Sequence, residues 1–279
     1  MPPDRNGQVI GERFRIDALL GRGASADVFR AVDLATSAYV ALKILRQEIA
    51  DPSGKERFAR EGALQARLRH KNVAALLASG VTNRSEPFLV LELLRGTSLR
   101  GVVKKAGRIE PRRATSYAWQ ALQGLTAVHA AGILHRDLKP ANIMLEPSPG
   151  PVERVVLIDF GFASMEGNAK LTQQGTVVGS LTYIAPERLR GEPIDQRSDL
   201  YAIGTVLYEL LAGHPPFRGA TDLELVEAQL HAAPARLGLG LPPIFDDIMA
   251  TALAKHQDER FANAAAMAEA LERAALELG

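Results

Sequence analysis

The sequence predicts an α+β chain of two lobes, a small antiparallel β-rich lobe with one main helix followed by a larger, mostly helical lobe. Alternating apolar and polar residues punctuated by glycine turns fill much of the first ninety positions. Apolar stripes of helical period, broken by Gly and Pro, dominate the last hundred. Between these regions the apolar run Pro87 to Leu94 ends at Arg95-Gly96, which marks the boundary.

Phe14, Ile16, Ala18 and Leu20 alternate with Arg13, Arg15 and Asp17, the pattern of a half-buried strand. The strand runs into Gly21-Arg22-Gly23-Ala24-Ser25-Ala26-Asp27-Val28, and a second strand over 28–32 follows. Alone, this Gly-x-Gly reads as a hairpin turn; it also lets backbone N–H groups approach phosphate oxygens with no Cβ in the way. No helix follows directly, so it is neither a dinucleotide fingerprint nor a Walker loop.

A third strand, Tyr39 to Leu45, sets Lys43 in an apolar run, either as an edge lysine reaching water or as a cation paired with an acid. Glu61 is the candidate partner, on a helix expected over 55–69 whose inner face carries Phe58, Leu64 and Leu68. By itself Glu61 also fits a solvated helix charge.

After a helical segment comes His135-Arg136-Asp137-Leu138-Lys139-Pro140-Ala141-Asn142, followed by the apolar run Ile143-Met144-Leu145. A second apolar run, Val155 to Ile158, delivers Asp159-Phe160-Gly161. Two short strands then hold two carboxylates and an amide at the lip of one cleft. Such groups suit two tasks, orienting a hydroxyl nucleophile and holding divalent cations. Read alone, 137–142 also fits a loop with an Asx turn.

From Ser198 an all-round apolar helix runs to Ala212 and stops at Gly213, the signature of a helix inside a lobe. Further helices are expected over about 222–232, 243–254 and 263–277, separated by Pro234 and the stretch 238–243.

The net charge of +1 gives no electrostatic case for nucleic acid or a membrane surface. With no cysteine, disulfides, thiol catalysis and Cys-ligated zinc are excluded. No apolar run approaches the roughly 18 residues of a membrane span, and residues 1–7 lack the apolar core of a secretory signal. A cytoplasmic location is expected.

In this order the motifs resemble the protein kinase family over residues 12 to about 265. The resemblance implies a bilobal protein kinase fold over 12–279, with an N-lobe at about 12–92, a hinge at about 92–96, a C-lobe at about 97–279 and an extension at 1–11. It implies that Leu20, Gly21, Arg22 and Gly23 lie over the ATP phosphates, with Ala26 replacing a third glycine. Lys43 takes the α- and β-phosphates, paired with Glu61. Leu91 is the gatekeeper, Glu92 to Leu94 receive adenine, and Val28, Ala41 and Met144 sandwich the purine.

Asp137 accepts the proton of the substrate hydroxyl, Lys139 neutralises the transferring phosphoryl group, and Asn142 and Asp159 hold Mg²⁺, with Mn²⁺ an alternative. Asp-Leu-Lys-Pro-Ala-Asn resembles the Ser/Thr-directed pattern. Gly175 to Ser180 and Tyr183 to Glu187 point to the bacterial type.

The same resemblance makes 162–184 an activation loop ordered by a phosphate on Arg136, with Thr172 the first autophosphorylation site and Thr176 the second. Ser180 contacts the catalytic Asp. Glu187 and Arg260 form a buried ion pair, and Asp199 anchors the catalytic loop's backbone. Gln65 stands where an apolar side chain is usual, which either loosens the placing of the helix that bears Glu61 or is compensated by Leu64. Expected partners are proteins offering Ser or Thr, and the chain itself in trans through a transient homodimer. The competing readings are a pseudokinase scaffold, which predicts loss of Lys43, Asp137 or Asp159, and a small-molecule kinase of related fold.

Overall fold

The computed structural model describes residues 5–23, 25–150, 152–160, 181–238 and 240–278. The chain divides into two compact units, residues up to Arg95 and residues from Gly96.

The first unit is an antiparallel sheet in the order β1-β2-β3-β4-β6-β5. Its strands are β1 (Val9–Ile10), β2 (Phe14–Arg22), β3 (Ala26–Asp33), β4 (Tyr39–Leu45), β5 (Leu76–Val81) and β6 (Pro87–Glu92). Period-2 alternation sends Ile16, Phe29, Val40, Leu42, Ile44, Phe88 and Val90 to one buried face. On the other face the register sets Val28 opposite Lys43 and Lys43 opposite Leu89, with Ala41 opposite Leu91. Residues between Arg5 and Ile10 are bonded into this unit. Ile10 pairs with Phe14, and Arg5 grips Glu86 with two hydrogen bonds of 2.9 and 2.6 Å.

Helix α1 (Pro52–Gln65) starts at Asp51, whose side chain caps the Gly54 N–H, with Pro52 in the first turn. It begins and ends earlier than the expected 55–69, because the chain turns out of the helix after Gln65. Leu68, buried in that turn, donates its N–H to the Gln65 carbonyl. The inner face is Phe58, Glu61, Gly62 and Gln65, while Leu64 is only half-buried. Gln65 is buried at this position, and its amide donates to the Ala74 carbonyl at 3.1 Å.

The second unit carries a three-stranded sheet, β7 (Thr97–Ser98), β8 (Ile143–Glu146) and β9 (Arg154–Leu157), in that order. Its described helices are α2 (Leu99–Ala106), α3 (Pro111–Ala130), α4 (Pro186–Arg190), α5 (Gln196–Ala212), α6 (Asp222–His231), α7 (Ile244–Ala252) and α8 (Ala264–Leu276). Helix α5 is buried nearly all round, as its composition predicts, capped by Asp195 at one end and by Gly213 at φ +78° at the other. The hairpin between β8 and β9 is pinned from α3: Tyr117 and Arg113 bond Glu153, and Gln120 donates to the Glu153 carbonyl. That gives the Pro-rich turn between these strands a structural duty. Among the described residues no helix is long and apolar enough to cross a membrane.

Candidate active site

In the first unit, Lys43 is 7% exposed and Glu61 is 6% exposed. Lys43 Nζ lies 2.7 Å from Glu61 Oε1. Of the two readings open for this lysine, the structure selects the paired one. A buried ammonium stays charged only beside a bonded counter-charge, and β4 and α1 bring the two together. Gly62 makes the approach possible: a Cβ there would sit 2.6 Å from Leu89 Cδ2 on β6.

Val28, Ala41 and Leu91 lie half-buried on the same face of the sheet as Lys43, and Gly21, Arg22 and Gly23 are exposed at the hairpin. Leu20, in the irregular stretch between Leu19 and Gly21, is 50% exposed. Glu92 closes the strand by exchanging bonds with Ala75, whose N–H donates to its carboxylate at 3.0 Å and whose carbonyl takes the Glu92 N–H. Leu94 is half-buried just beyond.

In the second unit, Asp137, Lys139 and Asn142 form one cluster. Lys139 Nζ lies 2.9 and 2.8 Å from the Asp137 carboxylate oxygens. Asn142 Nδ2 donates to the Asp137 carbonyl and to Oδ2, each at 2.8 Å. This commits the Asn142 nitrogen and leaves Oδ1 as a neutral oxygen donor. The Asn142 carbonyl accepts from the Ile158 N–H, which tethers the residue before Asp159 to the same cluster. Asp159 is exposed and left-handed, at φ 52°. Met144, on β8, is half-buried.

Asp199 at the start of α5 builds this loop from beneath. Its carboxylate accepts from the backbone N–H groups of His135 and Arg136, both at 2.9 Å, and lies 2.8 Å from His129 Nε2. Burial alone would raise the pKa of Asp199, yet the His129 contact and these backbone bonds hold it below the ordinary aspartate value. His135 is wholly buried and its pKa is pushed down by desolvation. Its Nε2 donates to the Ile158 carbonyl at 3.1 Å, and its ring lies 4.6 Å from that of Phe160. A neutral imidazole thus ties the two acidic segments together.

Glu187 and Arg260 form the expected pair, two bonds of 2.8 and 2.7 Å between side chains 1% and 0% exposed. Ser198 adds a third bond to Glu187. Gly161, Thr172, Thr176 and Ser180 lie outside the described residues, as does Ala24 in the glycine hairpin.

The protein kinase domain family matches residues 14–270, nearly the whole length. This chain belongs to the protein kinase family. Its relatives include a probable serine/threonine-protein kinase PknB of Corynebacterium glutamicum, 37% identical over 95% of this kinase chain and 42% of that protein. The serine/threonine-protein kinase PknL of Mycobacterium tuberculosis is 35% identical over 97% and 67% respectively. The kinase chain therefore spans less than half of the first of these. Among solved structures, the M. tuberculosis PknI kinase domain matches with a TM-score of 0.72 at 23% identity, covering 96% of this chain and 98% of that one, which bears on the fold alone.

Two groups at the kinase site have no counterpart in the sequence reading: His129, which supports Asp199, and Arg188, which donates to the Arg136 carbonyl. Nothing local marks either side chain as turned inward.

Proposed function

We propose that the chain is a protein serine/threonine kinase, transferring the γ-phosphoryl group of ATP to Ser or Thr hydroxyls of proteins with Mg²⁺ or Mn²⁺. The observation that carries this reading is the Asp137–Lys139–Asn142 cluster tethered to Asp159. The donor set fits a hard cation, offering an amide oxygen and a carboxylate while the remaining positions suit water and phosphate oxygens. When bound, the cation neutralises phosphate charge and fixes the nucleotide's tail.

Asp137 orients the acceptor hydroxyl and takes its proton as the oxygen attacks phosphorus and the bridging P–O bond to ADP breaks. Lys139 neutralises charge on the transferring group. Lys43 takes the α- and β-phosphates, held by Glu61. Leu20, Gly21, Arg22 and Gly23 supply the hairpin over the phosphates. Val28, Ala41, Leu91 and Met144 offer apolar surface to adenine, with Glu92 and Leu94 offering backbone groups.

Autophosphorylation in trans, at Thr172 before Thr176, orders the segment around Arg136, with Ser180 kept as a contact for Asp137. The setting is cytoplasmic, and the encounter in trans is a transient homodimer. The pseudokinase alternative gains no support, since Lys43, Asp137, Asn142 and Asp159 are all present.

Labelled ATP with Mg²⁺, followed by phosphosite mapping, tests the reading. Transfer to the chain itself and to a protein acceptor is expected, abolished by Asp137→Ala. Equal labelling by wild type and Asp137→Ala would refute it. Thr172→Ala is expected to slow activation of a second copy, and an unchanged activation rate would remove the proposed switch.

A further inference from the structure

We propose that Arg188 is a positioning residue that aims Asp137 by gripping the left-handed peptide of Arg136. The inference rests on the reading of Asp137 as the group that faces the acceptor hydroxyl. Arg136 has φ 66°, a conformation that non-glycine residues keep only when the surroundings over-determine it. Two charged side chains from other helices do so. Asp199 on α5 accepts the Arg136 N–H at 2.9 Å, and Arg188 Nη1 on α4 donates to the Arg136 carbonyl.

That carbonyl belongs to the peptide joining Arg136 to Asp137. A change in ψ of Arg136 turns this carbonyl and carries the Cα–Cβ bond of Asp137, and with it the carboxylate. The Asp199 bonds fix the near side of Arg136 and the Arg188 bond fixes the far side, so both are needed to set the direction of Asp137.

The charge makes the same argument. α4 also carries Arg190, which is exposed, whereas Arg188 is partly buried and desolvation draws its pKa below the ordinary arginine value. The opposing charges are Asp137, Asp199 and Glu187. A guanidinium stays charged under such conditions, so the site keeps a fixed cation facing the back of the Asp137 loop. Next to it lies a cavity of about 20 Å³ lined by Arg136, Asp137, Lys139, Arg188, Asp195 and Asp199, among others. Its accessible space is about that of one water, and the bond from Arg188 to the Arg136 carbonyl is internal to the fold.

The test compares wild type, Arg188→Gln, Arg188→Ala and Asp137→Ala for transfer to casein and to the chain itself, with thermal melts to establish folding. Arg188→Gln and Arg188→Ala are expected to lower kcat about 10- to 100-fold, since a displaced catalytic group costs that much. KM for ATP stays within about threefold of wild type, because no nucleotide contact is lost. Hydrogen exchange in peptides spanning 134–142 is expected to quicken in both variants. Arg188→Lys keeps a cation at the position and serves if the other two do not fold. It is expected to show a smaller loss of the same kind, and wild-type values in it would count against the proposal. A wild-type kcat in the Gln and Ala variants, or a KM for ATP rising in step with the loss of kcat, overturns it. If wild type itself transfers nothing, the reading of the site falls. Exchange in 134–142 then decides the role of Arg188 alone, unchanged protection counting against it.

Discussion

Lys43 and Asp137 separate two tasks that mutation can tell apart. Lys43 is buried and bonded to Glu61, so Lys43→Ala removes the proposed phosphate ligand and also takes the cation from beside a carboxylate that is 6% exposed. Turnover is expected to fall by about 10²- to 10³-fold, the loss seen when one fixed electrostatic donor is removed. Stability is expected to fall by about 3 kcal/mol from burying Glu61 without the Lys43 counter-charge. Adding Glu61→Ala removes that buried charge, so the double variant should melt above Lys43→Ala while staying as slow. A double variant that regains turnover would mean that the phosphates are held elsewhere. Asp137→Asn is the contrasting case. Its side chain is 41% exposed and the amide keeps its shape, so the melting temperature should hardly move. Single-turnover transfer should drop by about 10²- to 10⁴-fold with loss of the proton acceptor, and a near-normal single-turnover rate would remove Asp137 from the chemistry.

The elements that place these residues were legible in sequence to different degrees, for physical reasons. Strand β4 and helix α5 read correctly because one alternates on a buried sheet and the other is apolar all round. Strand β5 was not anticipated. Of its outward positions Leu77, Ser79 and Val81, two are apolar and 57% and 61% exposed, so its alternation is blurred, and Gly80 mimics a turn. Helix α1 was read too late, and the role of Gly62 is invisible without Leu89. Within the site, the residues from Asp137 to Asn142 and Asp159 were legible because their chemistry is written in contiguous strings. His129 and Arg188 were not, because only tertiary packing turns them inward. Gly62 offers a direct check on α1. In Gly62→Ala the added Cβ meets Leu89 Cδ2 at 2.6 Å, which should cost about 1–3 kcal/mol in overpacking, against about 1 kcal/mol gained in helix propensity. The expected net result is a modest fall in melting temperature with a clear rise in KM for ATP, as α1 carries Glu61 away from Lys43. A variant more stable than wild type with unchanged KM would show that the close approach is not required.

The whole molecule buries charge in both units, and the buried carboxylates and histidines that follow all shift downward. In the first unit Arg5 bonds Glu86 and draws its pKa below the ordinary glutamate value against the opposing effect of burial. In the second, burial would raise Glu187, but Arg260 and Ser198 hold it below 4.5, and Asp199 is likewise held below 3.8. His135 and His70 are lowered from 6.5 mainly by desolvation. In every case the folded pKa lies below the unfolded one, so between the two values the unfolded chain binds more protons and stability rises with pH. The contribution of the histidines is complete above 6.5 and is lost as pH falls below it, while that of Glu187 is complete above 4.5 and is lost below that value. Chemical denaturation from pH 8 to pH 3 should therefore show a plateau near neutrality, a first decline below about 6.5 and a steeper one below about 4.5. Glu187→Gln isolates the second decline. It leaves the Arg260 guanidinium buried without its counter-charge, so it should lose about 3–5 kcal/mol at pH 7, and its stability should then fall less steeply than wild type between pH 5 and pH 3. Parallel acid limbs in the two proteins would mean that the Glu187–Arg260 pair does not set the acid sensitivity of the fold.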